Sequence, residues 1–143
     1  MRDLSDKNNR SIEYLKSKIL NYFDSKLNII AVYLFGSAVS GRMDSESDID
    51  IAIITQPEEY KKTELFEMRI ELSELLDRDI DLVRLIDAPV ILRMQIFGKG
   101  IKLIDRNVKI TNTLIVRSQF EYDDLRHMRA PIEKQILNRR VYG

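Results

Sequence analysis

The chain of 143 residues has no cysteine and a single histidine. Disulfides, thiolate zinc sites, a cysteine nucleophile and a histidine-rich metal centre are therefore excluded. Tryptophan is absent, and three prolines and five glycines punctuate the chain without clustering into a linker. An excess of charge of either sign is also missing. Lys plus Arg and Asp plus Glu each number 23, so no net basic field exists to hold nucleic acid non-specifically. The longest apolar run, Ile29 to Phe35, is seven residues long, whereas a membrane helix needs about 20. The first ten residues are charged and carry no apolar signal-peptide core. These features predict a soluble cytoplasmic protein with no membrane association and no direct nucleic-acid binding. The polar chemistry left to it rests on carboxylates, hydroxyls, lysine and arginine.

With hydrophobic residues at 44% and charged residues at 32%, the composition is that of a globular chain. The length suits one domain, 1–143, with a core over about 11–105 and a helical segment over about 106–143. Ile12, Leu15, Ile19, Tyr22 and Phe23 recur at helical spacing, and Ser11 is a candidate cap. The run Ile29–Phe35 and the segment Asp48–Ile54 read as strands buried on both faces. About a dozen residues join them, which suits a hairpin-like return or a tight crossover. Pro57 opens a helix to about Asp77 with Leu65, Met68, Leu72, Leu75 and Leu76 as its stripe. A strand at 80–85, a helix at 89–97, a short strand at 100–105 and a helix over about 109–138, broken or kinked at Pro131, complete the chain. The fold class is α/β or α+β, a small mixed β-sheet flanked by helices. Tyr122, Leu125, Met128, Ile132 and Ile136 form a stripe for core packing or for docking a partner.

Three features converge on one chemistry. Gly36-Ser37 directly follows a buried strand, where glycine permits a tight turn and the amides and hydroxyl can donate to phosphate oxygens. Asp48 and Asp50 are two apart, so on a strand both carboxylates share a face. Asp81 takes a similar place at the start of another strand, with Asp79 as the competing choice. Unpaired carboxylates at a buried strand end are costly, and a divalent cation removes the conflict. Mg²⁺ prefers hard oxygen ligands and takes carboxylates together with substrate phosphates. Three acids can hold two such ions for in-line displacement at phosphorus, Asp81 lying nearest the attacking hydroxyl.

Read blandly, Gly36-Ser37 is an ordinary turn and the aspartates a polar strand end beside Ser47. Gly-Ser followed at this spacing by Asp-x-Asp arises by chance in on the order of one chain in 500. His127 reads as a helix-surface residue, and Lys134, Arg139 and Arg140 as a solvated helix end. P-loop, GxGxxG, HExxH and GxSxG motifs are absent.

Leu34-Phe35-Gly36-Ser37, Gly41 and Ser47-Asp48-Ile49-Asp50-Ile51-Ala52-Ile53 together resemble the signature of the DNA polymerase β-like nucleotidyltransferase superfamily. Within it the chain is similar to the minimal nucleotidyltransferases, and among those to the MntA-type antitoxins paired with HEPN-domain toxins. The resemblance covers about Ile12 to Asp105. It implies transfer of AMP from ATP, with two Mg²⁺ ions, to a tyrosine hydroxyl of a HEPN-domain RNase toxin. It further implies that Gly36 and Ser37 bind the triphosphate and that Asp48, Asp50 and Asp81 hold the metal. Many relatives read Gly-Ser-x-Ala-Arg-Gly where this chain has Gly36-Ser37-Ala38-Val39-Ser40-Gly41. Ser40 stands at the arginine position, and Arg42 is the expected substitute cation. Two rival readings follow. One is an antitoxin that neutralises its toxin by binding alone, kept open by Ser40. The other is a small-molecule nucleotidyltransferase, disfavoured by the lack of a second substrate domain.

Overall fold

The β-branched and aromatic run forms β1 (Ile29–Phe35), and the run that starts with the acidic pair forms β2 (Ile49–Thr55). The computed structural model describes residues 4–42, 47–56 and 60–142, with side chains over 11–42, 47–56, 60–132 and 134–136. Pro57, expected to open a helix, and the side chains of Arg139 and Arg140 lie outside the described residues.

In chain order, α1 (Leu4–Phe23) precedes β1, and a four-residue helix α2 (Ser37–Ser40) separates β1 from β2. Then come α3 (Lys62–Leu76), β3 (Ile80–Arg84), a 3₁₀ turn at Leu85–Asp87, α4 (Val90–Lys99), β4 (Ile101–Asp105) and α5 (Val108–Tyr142). The strands form one mixed sheet in the order β3-β2-β1-β4. β1 runs antiparallel to both β2 and β4, while β2 and β3 are parallel. The dozen residues after β1 therefore make a hairpin-like return, and α3 supplies the crossover that a parallel pair requires.

Both faces of the sheet are covered, which explains why β1 and β2 are apolar throughout. On one face Val32, Leu34, Ile49, Ile51 and Ile53 pack with Leu15, Ile19, Phe23, Met68 and Leu72 of α1 and α3. On the other, Ile30, Tyr33, Ala52 and Ile54 pack with Leu85, Ile96 and Leu114. Two arginines tie the layers together. Arg106 donates to the carbonyls of Phe23, Lys26 and Ile29, fixing the turn between α1 and β1 against the end of β4. Arg93, buried on α4, donates to Ser118 Oγ at 3.0 Å and to Glu121 at 2.6 Å on α5.

Several boundaries depart from the sequence expectations. α1 begins at Leu4, so Ser11 lies inside the helix and caps nothing. Leu75 points outward from α3 while Met68, Leu72 and Leu76 are buried. Helix α5 continues through Pro131 instead of breaking there. Proline fixes φ at a helical value, so the chain continues with the loss of one hydrogen bond. The packed stripe of α5 runs through Thr111, Leu114, Ser118, Tyr122 and Leu125. Beyond it Met128, Ile132 and Ile136 are 71%, 59% and 50% exposed, so that part of the expected stripe is not core. No helix among the described residues is long and apolar enough to cross a membrane.

Candidate active site

The end of β1 and the starts of β2 and β3 meet at one edge of the sheet. Register places Phe35 opposite Asp50 and Asp50 opposite Asp81, so the second and third acids are side-by-side neighbours on parallel strands. Asp48 sits just before β2, one residue outside the strand expected to contain it. Asp48 and Asp81 are exposed, and Asp50 is half-buried between them. Asp79 lies just before β3, outside the strand. Its carbonyl accepts the Ile49 N–H at 2.9 Å and so aligns β3 with β2.

The turn after β1 is shaped around Asp50. Gly36 has φ 71° and ψ −139°, a combination that side chains resist. A Cβ at Gly36 would overlap the Asp50 carboxylate. The Ser37 backbone N–H donates to that same carboxylate, and Ser37 Oγ faces the Asp48 carbonyl at 3.5 Å. Gly36 and Ser37 thus seat Asp50 as well as forming the wall a phosphate would approach. Gly41 closes α2 in the left-handed region at φ 76°, with open space where a Cβ would stand.

Burial, then the charges of Asp81 and Asp48, push the Asp50 carboxyl above its usual range, while the Ser37 hydrogen bond pulls it down. Asp50 therefore carries the local conflict between carboxylates that a cation would relieve. Among the described residues, no three His, Cys, Asp or Glu side chains are already gathered into a cation site. The donor set nevertheless fits Mg²⁺, which binds through one or two carboxylates and completes its shell with substrate phosphates and water.

The family model for polymerase beta nucleotidyltransferases matches residues 17–109, which span every strand and every acid of this site. The chain belongs to that family. It is 35% identical over 95 residues to protein adenylyltransferase MntA of Shewanella oneidensis, a match covering 66% of this chain and 63% of that protein. The chain thus spans a little under two thirds of the length of that relative. Among solved structures, a toxin–antitoxin crystal structure with AMP-PNP aligns with a TM-score of 0.72 and 27% identity, over 85% of this chain and 98% of that one. The complex of tri-AMPylated Shewanella oneidensis HEPN toxin with its MNT antitoxin aligns with a TM-score of 0.68 and 25% identity, over 88% and 98% of the two chains.

In this polymerase beta nucleotidyltransferase chain the sheet edge brings together Gly36, Ser37, Asp48, Asp50 and Asp81. Arg42 is exposed beyond Gly41 and engages none of the described residues. Ser40, at the family's arginine position, turns its hydroxyl back to the Ser37 carbonyl at 3.4 Å. Sequence reasoning missed Arg78, whose guanidinium donates to the Ser47 carbonyl at 2.6 Å and fixes the residue before Asp48. That contact is with a backbone atom, which leaves no trace in a side-chain pattern. Also missed was the cleft on the other side of the turn, where Gly36 and Ser40 face Gln95 and Lys99 of α4.

Proposed function

We propose that this chain is an adenylyltransferase antitoxin that transfers AMP from ATP to a tyrosine hydroxyl of a partner HEPN-domain toxin. The observation that carries the reading is the seating of Asp50. Glycine at 36 leaves room for its carboxylate, the Ser37 amide holds it, and Asp48 and Asp81 flank it. A turn that served only to reverse the chain would not need to accommodate a half-buried acid beside two others. Family membership and the likeness to toxin–antitoxin structures support the same reading.

Asp48, Asp50 and Asp81 would hold two Mg²⁺ ions. Bound there, these ions would neutralise charge on the triphosphate and on the leaving pyrophosphate. The chain's own residues do the rest. Gly36 and Ser37 present backbone to the phosphates without a bulky side chain between. Asp81, exposed at the open edge of the sheet, accepts the proton of the attacking tyrosine. The new bond joins the tyrosine oxygen to the α-phosphorus, and the bond from that phosphorus to the pyrophosphate oxygen breaks in line with it. The exposed outer surface of α5, with Phe120 at 69% and Met128 at 71%, is the surface we assign to the toxin.

The test is to co-express the chain with its HEPN-domain partner, incubate with Mg²⁺ and ATP, and weigh both intact proteins. Mass gains of whole AMP units on the partner, absent with Asp48→Asn, are expected. A stable complex that gains no mass would replace this reading with neutralisation by binding alone. The Ser40 hydroxyl, which brings no positive charge to the turn, favours that second reading.

A further inference from the structure

The acid cluster and the neighbouring cleft share one wall, Gly36. On one side of it lies the Asp50 carboxylate. On the other is a cleft of about 640 Å³ lined by Phe35, Ser40, Gln95, Ile96 and Lys99 among others. That volume is within the usual range for a small-molecule site, roughly 300–1,000 Å³. Lys99 is the one charged residue among those lining it. It sits in the last turn of α4, and among the described residues it has no ion-pair or hydrogen-bond partner. A lysine at a helix C-terminus satisfies the helix dipole, but that alone does not require it to line a cleft. Gly100 carries the chain directly from α4 to β4, and Leu34 pairs with Ile101, so Lys99 is fixed near the end of β1 that bears Gly36.

We propose that Lys99 is the cation that binds the triphosphate of the nucleotide, reaching it across the cleft from the side opposite the three aspartates. This rests on the nucleotide-transfer reading above and adds to it a residue outside the glycine–serine–aspartate motif. A triphosphate lying over Gly36 then meets carboxylates, which need a metal, on one flank and an ammonium, which needs none, on the other. Lys99 acts as a binding residue, so its effect falls on nucleotide affinity.

The test is calorimetric titration of the full chain with ATP and Mg²⁺, followed by displacement with inorganic tripolyphosphate. Lys99→Ala should weaken ATP and tripolyphosphate in parallel, by about ten- to a hundredfold, the range expected for losing a hydrogen bond to a charged group. Its melting temperature should stay at the wild-type value. Lys99→Arg should retain binding within about threefold, since the charge is kept. Ser40→Arg introduced into the Lys99→Ala chain should restore most of the loss, because position 40 lines the same cleft. Wild-type affinity in Lys99→Ala overturns the proposal, as does a loss that affects ATP but spares tripolyphosphate, or a loss confined to Arg42→Ala. A wild-type chain that melts normally yet binds no ATP overturns the nucleotide reading itself, and this proposal with it.

Discussion

Replacing Gly36 with alanine tests the geometry on which the site rests. The backbone there, φ 71° and ψ −139°, is close to a region used almost only by glycine, and alanine in such a conformation costs about 1–3 kcal/mol. The added Cβ also meets the Asp50 carboxylate, which must leave the Ser37 amide. Losing a hydrogen bond to a charged group costs about 1.5–3 kcal/mol. Asp50 recovers some hydration as it moves out, so the lower half of the sum applies, about 3 kcal/mol. At about 2–4 °C per kcal/mol for a chain of this size, Gly36→Ala should melt about 6–12 °C below wild type. Gly41→Ala is the internal comparison. It has the same sign of φ, 76°, but nothing within 4 Å of the new carbon. Only the left-handed penalty of about 1–2 kcal/mol remains, partly offset by the lower entropy of the unfolded chain. Circular-dichroism melting of the two variants, with ATP titration of each, reads the difference. Equal melting temperatures, or full ATP affinity in Gly36→Ala, would refute the claim that Gly36 is there to seat Asp50.

Three further outcomes follow from the same contacts. In metal-free buffer at neutral pH, Asp50→Asn should melt above wild type, because the raised carboxyl makes ionisation of Asp50 unfavourable in the folded state. That penalty is absent below the ordinary carboxylate pKa and builds as pH rises through the folded one, so the advantage should vanish in acid; a variant less stable across the whole range contradicts it. Arg93→Ala removes a buried guanidinium that donates to Ser118 and to the part-exposed Glu121, and urea unfolding should show a loss of about 1.5–3 kcal/mol. A change under about 0.5 kcal/mol would mean that α4 and α5 are joined by apolar packing alone. Phe120→Asp should leave melting unchanged and abolish co-purification with the HEPN-domain partner; retained co-purification would move the docking surface off α5.

The parts of this protein legible from sequence are those where a residue type contradicts its surroundings. Asp48, Asp50 and Asp81 stand out because they adjoin runs of isoleucine and leucine that become buried strands. β1 was legible to the residue because it is covered on both faces and bounded by a glycine. The contact between Gly36 and Asp50 was not, because it joins positions brought together only by the antiparallel return of β2 on β1. Arg78 and Arg106 were invisible for another reason. Their contacts named above are with main-chain carbonyls, which any residue can supply. In α5 the apolar periodicity runs on past Leu125, where the domain beneath it has ended, so spacing alone could not separate packed from exposed positions.

The second half of α5 has a consequence for how tightly anything can bind to it. From Arg126 onward the described side chains are exposed, so the domain lends this stretch little stability. Isolated helices shorter than about 12–15 residues are marginal in water, and only 11 residues of α5 follow Pro131. Pro131 weakens it further by denying the His127 carbonyl its helical donor, close to where the packed stripe stops. Any complex formed there must therefore supply the free energy that keeps the helix wound. Affinity and helicity become one equilibrium, and Pro131→Ala, by winding the free helix in advance, would tighten the complex without adding a contact.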